Sequence, residues 1–321
     1  VFDFTNGAHD CANAIATVVS TKVLTPRFAV TMAALFNLLG ALLGTEVALT
    51  LGAGIVHPEV VSGSHILVLA ALLGAIAWNS ITWYFGIPSS SSHALIGGLM
   101  GAATAHAGLD SLNGASIVGK VILPLLVSPL AGFAMGILLM TAISILFFKV
   151  NRPLVNNIFR KSQIASAGII ALSHGVNDAQ KTMGIITLAL VSFGQIDTSA
   201  GTLWVKLSCA LAMAAGTGLG GWKIVRTMGH KIFKLEPVHG FAAETSAAMV
   251  IGCASLAGAP ISTTHTITAC IFGVGSTKRL SAVRWGVAGN LIIAWVLTIP
   301  ASGAVGALCF VLLEHIQAFF L

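Results

Sequence analysis

The chain has 321 residues, 56% hydrophobic and only 8% charged, with a formal net charge of +6 and a mean hydropathy of +0.94. A soluble domain carries about 25% charged residues, so this chain lacks the polar surface to sit in water. Its positive charge is a matter of loops and membrane orientation, not of nucleic acid.

Residue 1 is Val, and few apolar residues precede the first polar word, so the first membrane helix is expected to be truncated. No signal peptide is recognisable. That word is Asn6-Gly7-Ala8-His9-Asp10, with Asn13 one turn on. A carboxylate at membrane depth costs about 3 kcal/mol or more and needs a partner or a water-filled cavity. The Gly beside it is expected to let the helix distort and free carbonyls for an ion. His9 adjoins the acid and is a candidate proton carrier. Apolar stretches of spanning length follow at Phe28–Val56 and Ile66–Phe85. Then Pro88 stops a helix, and Ser90, Ser91 and Ser92 can cap a half-helix starting near His93. Such a terminus offers unpaired amides and partial positive charge, hence an anion site. Val121–Phe148 is the next span, followed by a connection carrying Lys149, Arg152, Arg160 and Lys161.

The second polar word is His174-Gly175-Val176-Asn177-Asp178, with Gln180 and Lys181. Apolar stretches Leu203–Val225 and Phe241–Leu256 come next. Glu244, early in the latter, is read as an ion ligand or proton site. Asp3 and Glu46 rank behind it. Pro260 then precedes Ser262, Thr263, Thr264 and His265, and Val283–Leu313 closes the chain. His93 and His265 stand at equivalent places, but with no helical His-x3-His pair they read as packing residues rather than a metal pair. The five cysteines have no paired spacing and read as buried, inert thiols. Neither a resident metal nor a cofactor is expected.

These words are copies. Gly7–Asp10 recurs as Gly175–Asp178, Gly86–His93 as Gly258–His265, and Pro129–Gly132 as Pro300–Gly303, in the same order at offsets of 168, 172 and 171. Thirteen of the 16 Lys and Arg lie in four connections, around Lys22, Lys149–Lys161, Lys223–Lys234 and Lys278–Arg284. The others carry mainly acids: Glu59, Asp110, Asp197 and Glu314. Placing the basic set in the cytoplasm makes each element of the second half run opposite to its counterpart. The expected fold is therefore an all-α polytopic membrane protein with two inverted-topology repeats, each holding a re-entrant or broken helical hairpin. Repeat 1 is residues 1–148, a basic cytoplasmic linker is 149–163, and repeat 2 is 164–321.

Inversion points two half-helix termini at one midplane locus, where paired interruptions mark a transporter's binding site. Six hydroxyls and the nearby amides suit a small oxyanion. Beside Asp10 and Asp178 that anion meets like-charge repulsion which Lys181 alone does not offset, so a co-bound Na⁺ or H⁺ is required. Phosphate near neutral pH carries a P–OH donor that a carboxylate can accept, and sulfate has none. An intramembrane Ser/His hydrolase is the alternative from another class. Ser92 and His93 are neighbours that point apart on a helix, and no acid completes a triad. A passive anion channel or a phosphate sensor also remains.

Asn6–Thr17, His174–Gly184, Gly86–Gly97 and Gly258–His265 together resemble the inorganic phosphate transporter (PiT) family over nearly the whole chain. The resemblance implies low-affinity phosphate symport in the cell membrane, re-entrant hairpins and a homodimer. It implies phosphate contact by Asp10, Asn13, Ser90, Ser91, Ser92, Asp178, Gln180, Lys181, Ser262, Thr263 and Thr264. The coupling cation falls to Asn6, His9, Asp10, Asn177, Asp178 and Glu244. The family's usual signature has Asn-Asp twice; His9-Asp10 here resembles bacterial members that move phosphate with protons, often as a metal–phosphate complex. That leans the coupling toward H⁺ and leaves Na⁺, and a sulfate permease of the same fold, as alternatives.

Overall fold

The computed structural model describes residues 1–43, 47, 54–62, 64–196 and 202–320; Glu46 and Asp197 lie outside them. The named elements are all helical: α1 (Phe2–Ser20), α2 (Pro26–Leu42), α3 (His65–Phe85), α4 (Ser91–Ala107), α5 (Gly114–Leu146), α6 (Arg152–Ser192), α7 (Leu203–Leu219), α8 (Trp222–Lys231), α9 (Pro237–Leu256), α10 (Thr263–Lys278) and α11 (Trp285–Phe320). A short helix, Pro58–Ser62, precedes α3. The residues of the expected basic linker mostly begin α6, where Asn151 caps the helix by accepting from Leu154 N (3.1 Å).

Six apolar stretches are visible in the sequence, yet fewer helices qualify as spans by length and composition. Among the described residues Ile66–Phe85, Gly114–Leu146 and Trp285–Phe320 do so. The predicted span Leu203–Val225 is instead a bent pair, Leu203–Leu219 and Trp222–Lys231, meeting at 61°. The bend follows from Gly220 (φ +75°) and Gly221 between them. α2 is short at 17 residues, and α9 carries His239, Glu244, Thr245 and Ser246 inside its apolar run. Of these, His239, Glu244 and Ser246 are buried.

The basic connections gather at one end. Thr21 Oγ1 donates to Gln163 Oε1 (2.9 Å), Ser20 Oγ to Gly229 O (2.5 Å), and Lys278 pairs with Glu236 (3.3 Å). Phe147, Arg152, Glu236 and Lys278 line one cavity of about 690 Å³ there. At the other end, residues 55–57 pair with 111–113 through His57 N to Ser111 O (3.1 Å) and Asn113 N to Ile55 O (3.0 Å). Helix partners cross between the halves: α1 packs on α7 and α6 on α2, while α4 packs on α11 and α10 on α5.

Two expectations about glycine and proline are corrected. Gly7 and Gly175 do not distort their helices, since α1 and α6 run through them unbroken. They allow close approach instead: a Cβ on Gly7 would lie 2.2 Å from Met213 O, and one on Gly175 2.3 Å from Asn37 O. Gly7→Ala is accordingly expected to cost about 1–3 kcal/mol by overpacking, read as a lower unfolding midpoint of the detergent-solubilised protein. Second, the helix before each Ser/Thr-rich tip ends on a left-handed glycine, Gly86 (φ +69°) or Gly258 (φ +65°), two residues ahead of the proline. The glycine reverses the chain, and the proline keeps it from re-entering the helix. The cysteines are also mixed rather than uniformly buried: Cys11, Cys209 and Cys270 are buried, Cys309 is half-buried and Cys253 is exposed.

Candidate functional site

The two glycine reversals deliver two helix starts to the centre. Ser90 Oγ accepts from His93 N and Ser262 Oγ from His265 N, both at 3.2 Å, so these two residues cap α4 and α10. The next two hydroxyls of each tip are thereby free to face α1 and α6. Behind the tips the His93 and His265 rings lie 5.0 Å apart. His265 stacks on Trp295 at 4.0 Å, and Trp295 Nε1 donates to Pro88 O (2.9 Å). The two histidines thus pack the tips against α11.

Asp10 receives donors from both tips. Ser91 Oγ donates to its Oδ2 (2.6 Å) and Thr264 Oγ1 to its Oδ1 (3.2 Å). His9 Nδ1 sits 2.7 Å from Oδ1, with its Nε2 3.0 Å from Thr82 Oγ1. Asn13 Nδ2 donates to Thr264 Oγ1 (2.9 Å) and Thr263 Oγ1 (3.3 Å). Asp178 has a matching set. Thr263 Oγ1 donates to Oδ2 (2.8 Å), Lys181 Nζ donates to Oδ1, and His174 Nε2 lies 2.9 Å from Oδ2. Lys181 Nζ also donates to Ser92 Oγ (2.5 Å) and Ile261 O (2.8 Å), tying α6 to both tips. One ligand atom from each of Asp10, His174 and Asp178 falls within 4.8 Å of the others. All of these side chains are buried, Asp10 at 1% and Asp178 at 0% exposure.

The structure thus brings Asp10, Asn13, Ser91, Ser92, Asp178, Lys181, Thr263 and Thr264 into one cluster, with His9 beside it. It places the remaining candidates elsewhere. Ser90 and Ser262 serve as caps. Gln180 accepts from Val47 N (2.8 Å) and donates to Leu43 O (3.3 Å), while Asn177 Nδ2 donates to Ser255 Oγ (2.9 Å). Asn6 is buried, with an unpartnered Oδ1. Glu244 forms its own centre nearer the basic end, accepting from Thr17 Oγ1 (2.5 Å), Gln163 Nε2 (3.0 Å) and Ser166 Oγ. His174 was missed as a site residue, although its i,i+4 spacing to Asp178 is plain in the sequence.

This arrangement, two buried carboxylates with an ammonium and facing hydroxyls on two helix starts, suits a small anion accompanied by a cation. The phosphate transporter family matches over residues 6–155 and again over 149–306. The chain belongs to the phosphate transporter family. A "Probable low-affinity inorganic phosphate transporter" of Rhizobium meliloti is 50% identical over 96% of this chain and 92% of that protein. One of the same description from Bacillus subtilis is 47% identical over 98% and 95%. A solved structure described as "The sodium-dependent phosphate transporter" matches with a TM-score of 0.89 and 26% identity, over 98% of this chain and 96% of that one. The family is one of transporters, so the chain is a multi-pass membrane protein and not an enzyme, which removes the hydrolase alternative.

Proposed function

We propose that the chain is a secondary active transporter that imports inorganic phosphate by symport with H⁺ or Na⁺. The observation that carries this reading is the meeting of Asp10 and Asp178, one from each copied word, with hydroxyls from both tips and with Lys181. Two carboxylates against one ammonium leave the cluster short of positive charge before any oxyanion arrives. In a poorly solvated site that repulsion is strong, and a co-bound cation offsets it. Coupling follows from this electrostatic requirement. The tip hydroxyls and the unpaired amides of α4 and α10 grip the phosphate oxygens. The carboxylates hold the cation and accept the P–OH proton, which disfavours sulfate.

Movement is by alternating access, with residues 1–148 and 164–321 as inverted repeats around the cluster. The exchanged pairing of α1 with α7 and α6 with α2 supports this division. The two words enclose His9 and His174 near their carboxylates, and this supports protons as the driver. The test is purified full-length protein in sealed vesicles. Phosphate is expected to accumulate against its gradient when a pH gradient is imposed, and excess sulfate should not compete. Repeating the assay with a Na⁺ gradient, and with and without divalent metal, assigns the driver and tells free phosphate from a metal–phosphate complex. Equilibration without accumulation under either gradient points to a passive channel and overturns symport.

A further inference from the structure

The cluster lies midway along a longer polar seam. Asp3, Asn6, Asp10, Asn13 and Thr17 follow one another at three- and four-residue steps, so they share one face of α1. Each is at most 3% exposed. α6 runs alongside in the opposite sense. Thr182 meets Asp3, His174 and Asp178 lie by Asp10, and Ser166 reaches Thr17 through Glu244. The seam therefore has three carboxylate stations, of which the outermost, away from the basic connections, is Asp3.

Asp3 is built into the wall rather than left at a surface. Thr182 Oγ1 donates to its Oδ1, and Thr182 sits one turn past Asp178, about 6 Å along α6. Asp3 and Asp178 are within electrostatic reach of each other. Two oxygens here are buried and without a donor: Asp3 Oδ2 and, one turn along the same face of α1, Asn6 Oδ1. Buried acceptors of this kind are costly unless something positive comes to them. A carboxylate, an amide oxygen and a hydroxyl are hard donors. They suit a small hard cation, and the buried thiol of Cys209, on α7, lies within hydrogen-bond reach of the same carboxylate.

We propose that Asp3, Asn6 and Thr182 form an outer station for the coupling cation, which binds there before passing one helical turn inward to the Asp10/Asp178 pair. This rests on the symport reading. It goes beyond it by giving the cation an entry site that phosphate does not touch. An occupied station also weakens the negative field that an incoming oxyanion meets, so cation binding precedes phosphate binding.

The experiment is phosphate uptake by full-length Asp3→Asn protein in sealed vesicles. Uptake is measured against the driving cation (Na⁺ concentration or external pH) at saturating phosphate, and against phosphate at saturating cation. The half-activating cation concentration is expected to rise about tenfold, while the phosphate KM at saturating cation stays within about twofold of wild type. Asp3→Glu, which keeps the charge, should restore most of the shift. Thr182→Val, which keeps the carboxylate, should give a smaller shift in the same direction. An unshifted cation curve in Asp3→Asn overturns the proposal. So does a loss in which both curves move together and Asp3→Glu rescues neither, the mark of a structural brace. Wild-type vesicles that fail to accumulate phosphate under either gradient sink the symport reading and this station with it. Wild-type accumulation with an unshifted variant sinks the station alone.

Discussion

Asp178→Asn is expected to abolish gradient-driven phosphate uptake, with the initial rate falling about 100-fold or more, because the substitution unpairs a fully buried ion pair. The carboxylate has three partners, Lys181 Nζ, Thr263 Oγ1 and the His174 ring, that an uncharged amide with a single acceptor oxygen cannot keep together. Removing its charge also strands the ammonium of Lys181 at 2% exposure. Stability should therefore fall as well, by about 3–5 kcal/mol, the usual result of breaking a buried pair from one side. Function and folding can be separated by a second change. Asp178→Asn with Lys181→Met removes both charges and keeps an unbranched stem of similar length, so the unfolding midpoint in detergent should recover toward wild type. Transport should not recover, because the cation site and the ammonium contact to the anion are both gone. A double variant that regains stability and transport together would reduce the pair to a structural clasp. Wild-type uptake by Asp178→Asn alone would remove it from the mechanism.

Most of this site is legible in the sequence because its chemistry is duplicated. Asp10 and Asp178, and the Ser/Thr runs after Pro88 and Pro260, stand out as polar words in an oily chain, and order and offset pair them without any coordinates. Which hydroxyl does what is not legible. Ser90 and Ser262 look equivalent to their neighbours in composition, and only the position of Gly86 and Gly258 makes them caps. The glycines beside the acids mislead for a similar reason. Local chemistry suggests helix distortion, whereas the close backbone approaches to Met213 and Asn37 depend on elements some 140 to 200 residues away. Gln180 enters the sequence reading through the family resemblance, yet it lies two residues from Asp178, about 200° around a helix, and its amide serves the chain at Leu43 and Val47. Glu244 is legible as a buried acid, but its donors Thr17, Gln163 and Ser166 come from two other helices.

The pairing of His9 with Asn177 looks like a break in the copy, and the structure changes its meaning. The first word reads Asn6, Gly7, Ala8, His9, Asp10, and the second reads His174, Gly175, Val176, Asn177, Asp178. The Asn and His have exchanged places around the glycine. His9 reaches Asp10 from the adjacent position and His174 reaches Asp178 from one turn away, at 2.7 and 2.9 Å. Each carboxylate consequently has its own imidazole, and the two units are chemically closer than their alignment suggests. If protons drive transport, both rings serve it. His9→Asn and His174→Asn are each expected to lower pH-gradient-driven uptake about 10-fold or more, since each removes a buried imidazole in close contact with a carboxylate, and a contact of that kind to a charged group is worth about 1.5–3 kcal/mol. The double variant should flatten the pH dependence of uptake while phosphate still exchanges across the membrane at equilibrium. Sodium coupling predicts the opposite pattern: pH dependence barely altered, with uptake following external Na⁺ in wild type and variants alike. The exchange assay matters because a structural loss would suppress uptake and exchange together, whereas loss of the proton carriers removes only the coupling.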